Sequence, residues 1–275
     1  MLVFSIKGAN NKPIIIDLHF SKNENAPLVI FCHGFKGFKD WGPFNYIAKK
    51  FVENGLSFLK FNFSHNGVSQ KDLLSFTDLQ SFAENNFSKE KYDLSKVIEW
   101  VIKEHSNSID VNNIFLLGHS RGGGISILTA HENSTIKKVV SWASVCDYKS
   151  RFDKDKLDFW QKKGVVYVFN SRTNQQMPLY YQFYLDFIEN EKKLTISDAS
   201  KNLTIPTLIV HGDQDTTVDV SEAKQLSSWI KNSKLLIVKD GNHVFNSKHP
   251  FEESNLSKEL ELVIRETISF FKKSN

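Results

Sequence analysis

The 275-residue chain has few cysteines, no long apolar run and no block of like charge. Each shortage excludes something. The two cysteines, Cys32 and Cys146, each lie inside an apolar run, so both are expected as small buried core residues and no disulfide framework is indicated. No apolar stretch approaches the length of a membrane span. Met1-Leu-Val-Phe-Ser-Ile-Lys7 reads as a strand, with no charged leader ahead of an apolar stretch, so neither a signal peptide nor a membrane contact is expected and a cytoplasmic location follows. The net charge of +4 comes from 35 basic and 31 acidic residues spread along the chain, which leaves no basic arm for nucleic acid. Internal repeats are absent too.

What is present is ordinary for a globular α/β protein. Hydrophobic residues make up 40% and charged residues 24%, enough to build a large core under a solvated surface. The 23 phenylalanines point first to an aromatic core and second to an aromatic-lined pocket. Residues 2–7 and 13–20 read as an opening antiparallel hairpin around the Gly8-Ala-Asn-Asn11 turn. Apolar strands are expected at 27–32, 57–63, 114–117, 138–145, 206–210 and 235–238. Helices are expected at 44–54, 89–105, 125–131, 221–231 and 254–273, and residues 70–88 read as polar and irregular. Strands alternating with helices predict a mostly parallel sheet with helices on both faces, eight strands in all. Residues 148–204 break the rhythm. They hold a polar helix-like piece (153–163), a strand pair (164–169 with 176–179) and an aromatic segment, Tyr180 to Phe187. The expected organisation is a core of 1–147 and 205–275, with 148–204 inserted as a small cap.

The stretch Ile114-Phe-Leu-Leu-Gly118-His119-Ser120-Arg121-Gly122 is a strand, a tight Gly-x-Ser-x-Gly turn and the start of a helix. A serine hydroxyl is a poor nucleophile unless held exposed beside a base, and a sharp strand-to-helix turn exposes it while freeing amide N–H groups. The base and its carboxylate are expected at later strand ends. Strand 206–210 runs into His211-Gly-Asp213-Gln-Asp215, and strand 235–238 runs into Asp240-Gly-Asn-His243. The candidates are Ser120 as nucleophile, His243 as base and Asp215 as the group orienting it, with Asp213 as a rival acid. His33 and His211, also at strand ends, read as structural. Cys32 carries no mark of activation.

These residues resemble those of the α/β-hydrolases. Gly118-His-Ser-Arg-Gly122 is similar to the nucleophile elbow, His211-Gly-x-x-Asp215 to the acid loop, Gly241-Asn-His243 to the histidine loop and His33-Gly34-Phe35 to the oxyanion loop. Within that superfamily the chain looks most like the small-cap carboxylesterases, including cinnamoyl and feruloyl esterases, which lie near the serine aminopeptidase-type hydrolases. The resemblance implies an oxyanion hole of two backbone N–H groups, from Phe35 and Arg121. It implies a small-molecule ester substrate and neither metal nor organic cofactor. The loop at 64–69 departs from the family pattern, with Ser64, His65 and Asn66 where relatives carry Arg-Gly-His. His119, His65, Tyr181 and Tyr184 are candidate pocket residues. Two further functions stay open. An aminopeptidase or dipeptidase would hold the substrate ammonium on a carboxylate such as Asp186, Glu189 or Glu191. An inactive hydrolase fold would serve only for binding. Substrate identity and oligomeric state are not encoded legibly.

Overall fold

Uninterrupted apolar runs place the middle of the sheet, because a strand with both faces covered has no polar face to show. The computed structural model describes residues 1–170 and 173–273; residues 171, 172, 274 and 275, which the expected insertion and core ranges include, lie outside them. The first strands are β1 (Leu2–Lys7), β2 (Pro13–His19), β3 (Ala26–Cys32) and β4 (Ser57–Asn62), with helix α1 (Phe44–Glu53) between the last two. A short hairpin of β5 (Val68–Ser69) and β6 (Asp72–Phe76) follows, then α2 (Leu79–Ala83) and α3 (Phe87–His105). Next come β7 (Ile109–His119), α4 (Arg121–Glu132) and β8 (Ile136–Trp142). Residues 148–204 hold α5 (Leu157–Lys163), β9 (Val165–Asn170), β10 (Gln175–Tyr180), α6 (Gln182–Glu189), α7 (Glu191–Leu194) and α8 (Ile196–Asn202). The chain closes with β11 (Thr207–Gly212), α9 (Val220–Trp229), β12 (Ser233–Val238) and α10 (Lys258–Lys272).

The eight-stranded sheet runs β1-β2-β4-β3-β7-β8-β11-β12. The β1–β2 and β2–β4 pairs are antiparallel; every later pair is parallel. The centre is dry, with Leu28, Ile30, Leu116, Val139 and Val210 fully buried. The edge strands β1 and β12 are largely open to solvent. One helical layer joins α1 and α10; the other joins α3, α4, α8 and α9. The fold class is therefore the α/β-hydrolase arrangement that the sequence predicts.

Several boundaries differ from expectation for local reasons. Residues 70–88 are not irregular throughout, since Phe76 is buried and anchors β6 in the small hairpin. Helix α3 starts at 87 and not 89, because the Asn86 side chain accepts the Lys89 N–H at 2.9 Å and caps it. Likewise α10 starts at 258 and not 254, because Ser257 Oγ accepts the Leu260 N–H at 3.1 Å. Strand β8 stops at Trp142 where Ala143 turns to φ 46°. Both cysteines are buried and free. Among the described residues no helix is long and apolar enough to cross a membrane.

Candidate active site

The turn between β7 and α4 carries Ser120 in a conformation that few side chains adopt, φ 56° and ψ −121°. It is held there from both sides. The Ser120 N–H donates to the Trp142 carbonyl at 2.8 Å, and the Gly123 N–H donates to the Ser120 carbonyl at 3.0 Å. No Cβ fits at the flanking glycines, since one at Gly118 would overlap the Gly122 carbonyl and one at Gly122 the Cys32 carbonyl. Strain at Ser120 is thus imposed by close packing of the elbow on β3.

Two later strand ends supply the partners. His243 Nδ1 lies 2.8 Å from Asp215 Oδ2. The other carboxylate oxygen, Oδ1, accepts the N–H groups of Thr217 at 2.8 Å and Val218 at 2.9 Å. His211 Nε2 stands 3.2 Å from Asp215 Oδ2 and 2.9 Å from the Val218 carbonyl. Burial alone would raise the Asp215 pKa; hydrogen bonds from His211 and His243 outweigh it and hold the carboxyl well below the usual range. Asp213, the rival acid, instead accepts the Asp240 N–H at 2.7 Å and so ties the two loops together.

Ser120 and His243 line one small cavity with His33, Gly34, Phe35, Gly37, Trp41, Phe44, His119 and Val244. Its volume is about 30 Å³, the scale of a water molecule. A larger groove of about 620 Å³ between α1 and α10 contains none of these residues. The Arg121 N–H is the first of α4, so no carbonyl within the helix accepts it. The Phe35 N–H follows β3 at the cavity rim. His33 underpins that loop. Its Nδ1 donates to the Gly34 carbonyl at 2.9 Å and its Nε2 accepts the Phe63 N–H at 3.4 Å, while burial pushes its pKa down to about 4.

The remaining expected pocket residues divide. His119 lines the cavity, with Nε2 2.9 Å from the His243 carbonyl oxygen. His65 does not: it is fully buried and turned to Ser64 Oγ at 2.7 Å, and burial pushes its pKa down to about 4. Tyr181 and Tyr184 do not reach the cavity either. They pack on Trp160 and Phe152, with centroid separations of 5.9 and 5.1 Å, in the aromatic cluster of segment 148–204. Sequence reasoning did not single out Trp41, Phe44 and Val244 as cavity walls, although Trp41 belongs to the aromatic-rich loop after β3. It also missed the surroundings of the Arg121 side chain. That guanidinium meets the buried Glu90 carboxylate at 3.3 Å, and burial raises the Glu90 pKa against the arginine's pull. Among the described residues no cluster of three His, Cys, Asp or Glu side chains is arranged to hold a metal ion.

Comparison with known proteins places the chain in a family. Residues 23–175 match the family model described as "Serine aminopeptidase, S33", and residues 162–250 match the model described as "alpha/beta hydrolase fold". A Mycoplasma genitalium protein named "Putative esterase/lipase 2" is 23% identical over 233 residues, covering 82% of this chain and 74% of its own. The Butyrivibrio proteoclasticus protein Est1E, solved with ferulic acid bound, superposes with a TM-score of 0.74 at 21% identity, over 98% of this chain and 97% of its own. A puromycin-hydrolyzing peptidase from Mycobacterium tuberculosis superposes with a TM-score of 0.67 at 12% identity, over 98% of this chain and 38% of its own. With more than half of its length matched by the first model, the chain belongs to the serine aminopeptidase family of the α/β-hydrolase superfamily.

Proposed function

We infer that the chain hydrolyses carboxylic esters of small or aromatic acyl groups through an acyl-enzyme on Ser120. The observation that carries this reading is the His243–Asp215 pair, 2.8 Å apart, opening onto the same cavity as a serine held at φ 56°. Ser120 Oγ attacks the acyl carbonyl. His243 Nδ1 is committed to Asp215, so Nε2 takes the hydroxyl proton and returns it to the leaving alkoxide. Water, deprotonated by the same nitrogen, then releases the acid and restores Ser120. Negative charge on the tetrahedral oxygen falls to the Phe35 and Arg121 N–H groups, each such donor typically worth about 3–4 kcal/mol of barrier. Segment 148–204 serves as the cap over this site.

Esters are favoured over aminoacyl amides by the cavity lining. Phe35, Trp41, Phe44 and Val244 are apolar, and none of the ten lining residues is a carboxylate. The three acids that a peptidase could have used for the substrate ammonium are not among them. Asp186 accepts the Ser88 N–H at 3.2 Å, and Glu191 pairs with Lys149 at 2.7 Å. The test is a comparison of p-nitrophenyl acetate and butyrate with aminoacyl-p-nitroanilides. Ester turnover is expected, with a loss of at least about 10³-fold in Ser120→Ala. Cleavage of the anilides alone would transfer the reading to the peptidase; no reaction with either substrate or with a fluorophosphonate would leave a binding protein.

A further inference from the structure

The Arg121 side chain sits in a built enclosure that the proposed chemistry does not use. Its guanidinium carbon lies 3.9 Å from the Phe35 ring centroid, 5.0 Å from that of Phe183 and 5.1 Å from that of Phe87. Nη1 reaches Glu90 Oε1 at 3.3 Å, with both side chains largely withdrawn from solvent. Glu90 is fixed in turn by Asn85 Nδ2 at 2.8 Å. On the far side, the Phe35 ring stacks on buried Phe82 at 5.4 Å. The Arg121 carbonyl accepts the Tyr148 hydroxyl at 3.0 Å. A cation held in fixed contact with a ring, away from water, is a strong tether, and a planar guanidinium stacks where an ammonium does not.

The two residues joined by this stack are the two whose backbone N–H groups are assigned to the tetrahedral oxygen. They come from different parts of the chain, one from the loop after β3 and one from the first turn of α4. Below them the loops touch closely: a Cβ on Gly34 would stand 2.9 Å from Ser120 Cβ. Above them the side chains close the same seam. We propose that Arg121 is a positioning residue, whose guanidinium clamps the Phe35 ring and thereby fixes the distance between the two oxyanion donors. Glu90 holds the clamp, and Phe183 on α6 links it to segment 148–204. The inference rests on the serine-hydrolase reading and adds a role for the Arg121 and Glu90 side chains, which need never touch substrate.

The experiment uses the full chain and p-nitrophenyl butyrate. Arg121→Met would leave the buried Glu90 carboxylate without its counter-charge, so the variant is Arg121→Met with Glu90→Gln; Phe35→Leu breaks the same stack from the other side without touching the ion pair. Folding is checked by circular dichroism and Tm. A displaced donor loses part of what a deleted one loses, so kcat is expected to fall between about 10- and 100-fold in each, with KM within about threefold in the arginine variant, whose side chains lie outside the cavity. The Ki of a trifluoromethyl ketone, whose adduct carries the oxyanion, rises in proportion to the loss in kcat/KM. Because both changes cut one contact, combining them costs no more than about threefold beyond the worse of the two. Wild-type kcat in Phe35→Leu, an unchanged Ki, or losses that multiply would overturn the clamp. Ser120→Ala keeps the two levels apart. An inactive Ser120→Ala beside a fully active clamp variant removes the clamp alone, whereas a fully active Ser120→Ala removes the serine reading and the clamp with it.

Discussion

His119 Nε2 lies 2.9 Å from the carbonyl oxygen of His243, and the two imidazoles are 4.9 Å apart between centroids. A carbonyl can only accept, so Nε2 of His119 carries the proton and donates it. The residue before the proposed nucleophile thus anchors the backbone of the proposed base, closing a link between the elbow and the histidine loop. His119→Ala is expected to lower kcat by about 10- to 100-fold with little change in KM, as a displaced base does. His119→Gln keeps an N–H donor of similar reach and should recover part of the loss. Steady-state kinetics on one model ester reads this, and an unimpaired His119→Ala would remove the anchoring role.

A buried ionic cluster supports the loop that carries Phe35. Lys39 Nζ meets Asp17 Oδ2 at 2.7 Å and Asp40 Oδ2 at 2.5 Å; Lys60 Nζ meets Asp17 Oδ2 at 2.5 Å and also contacts Asp40. Lys60 is 0% exposed and Lys39 2%, so neither ammonium can turn to water. Burial would raise the Asp40 pKa, but the two lysines hold it below the ordinary carboxylate value. The Lys39 N–H also donates to Asn62 Oδ1 at 2.7 Å, fastening the loop to the end of β4. Removing one member of such a cluster strands a charge and costs about 3–5 kcal/mol. Lys39→Met should show that loss in urea unfolding, and adding Asp40→Asn should return part of it. A Lys39→Met midpoint equal to the wild type would contradict the assignment.

The sheet was legible because it depends on short-range pattern. Runs such as Leu28–Cys32 and Ile114–Leu117 are too apolar to be anything but doubly covered strands. Ser120, Asp215 and His243 were expected at strand ends, and the parallel strands bring those ends to one edge of the sheet. What stayed hidden depends on contacts between distant segments. The arginine enclosure gathers Phe35, Phe87 and Phe183 from three elements, and nothing in their spacing foretells a meeting. The aromatic run Tyr180–Phe187 has helical spacing, which is the same for a substrate wall and for a self-packed core. Tyr181 and Tyr184 went to the aromatic cluster. His65 was ambiguous in the same way, since a loop histidine beside a serine can face either inward or toward the cavity.

Two buried histidines and one half-buried one lower the stability of the fold in acid. Burial brings His33, His65 and His19 each down to about 4, whereas an unfolded histidine titrates near 6.5. Between those values the unfolded chain binds more protons than the native one, so stability falls as pH falls. The contribution is complete above about pH 6.5 and is lost on the way down to about pH 4. For His33, 3% exposed, the change is on the order of 3 kcal/mol. Urea midpoints measured from pH 7 to 4.5 should decline, and the decline should be shallower in His33→Gln. A flat profile for the wild type would refute this account.

The two aspartates after β11 separate chemistry from architecture. Asp215 faces His243, and in the proposed mechanism its carboxylate must stay charged to hold the imidazole tautomer and stabilise the imidazolium. Asp213 faces a backbone N–H of the next loop, a bond that an amide oxygen makes equally well. Asp215→Asn leaves an acceptor opposite Nδ1 only if the amide turns its oxygen inward, and even then the negative charge is gone. It is expected to lower kcat by about 10⁴-fold at unchanged fold. Asp213→Asn should keep kcat within about threefold of the wild type. Both variants are measured side by side on the same ester at neutral pH. If Asp213→Asn were the inactive one, the base would have to be oriented by the other carboxylate, and the assignment of Asp215 would fall.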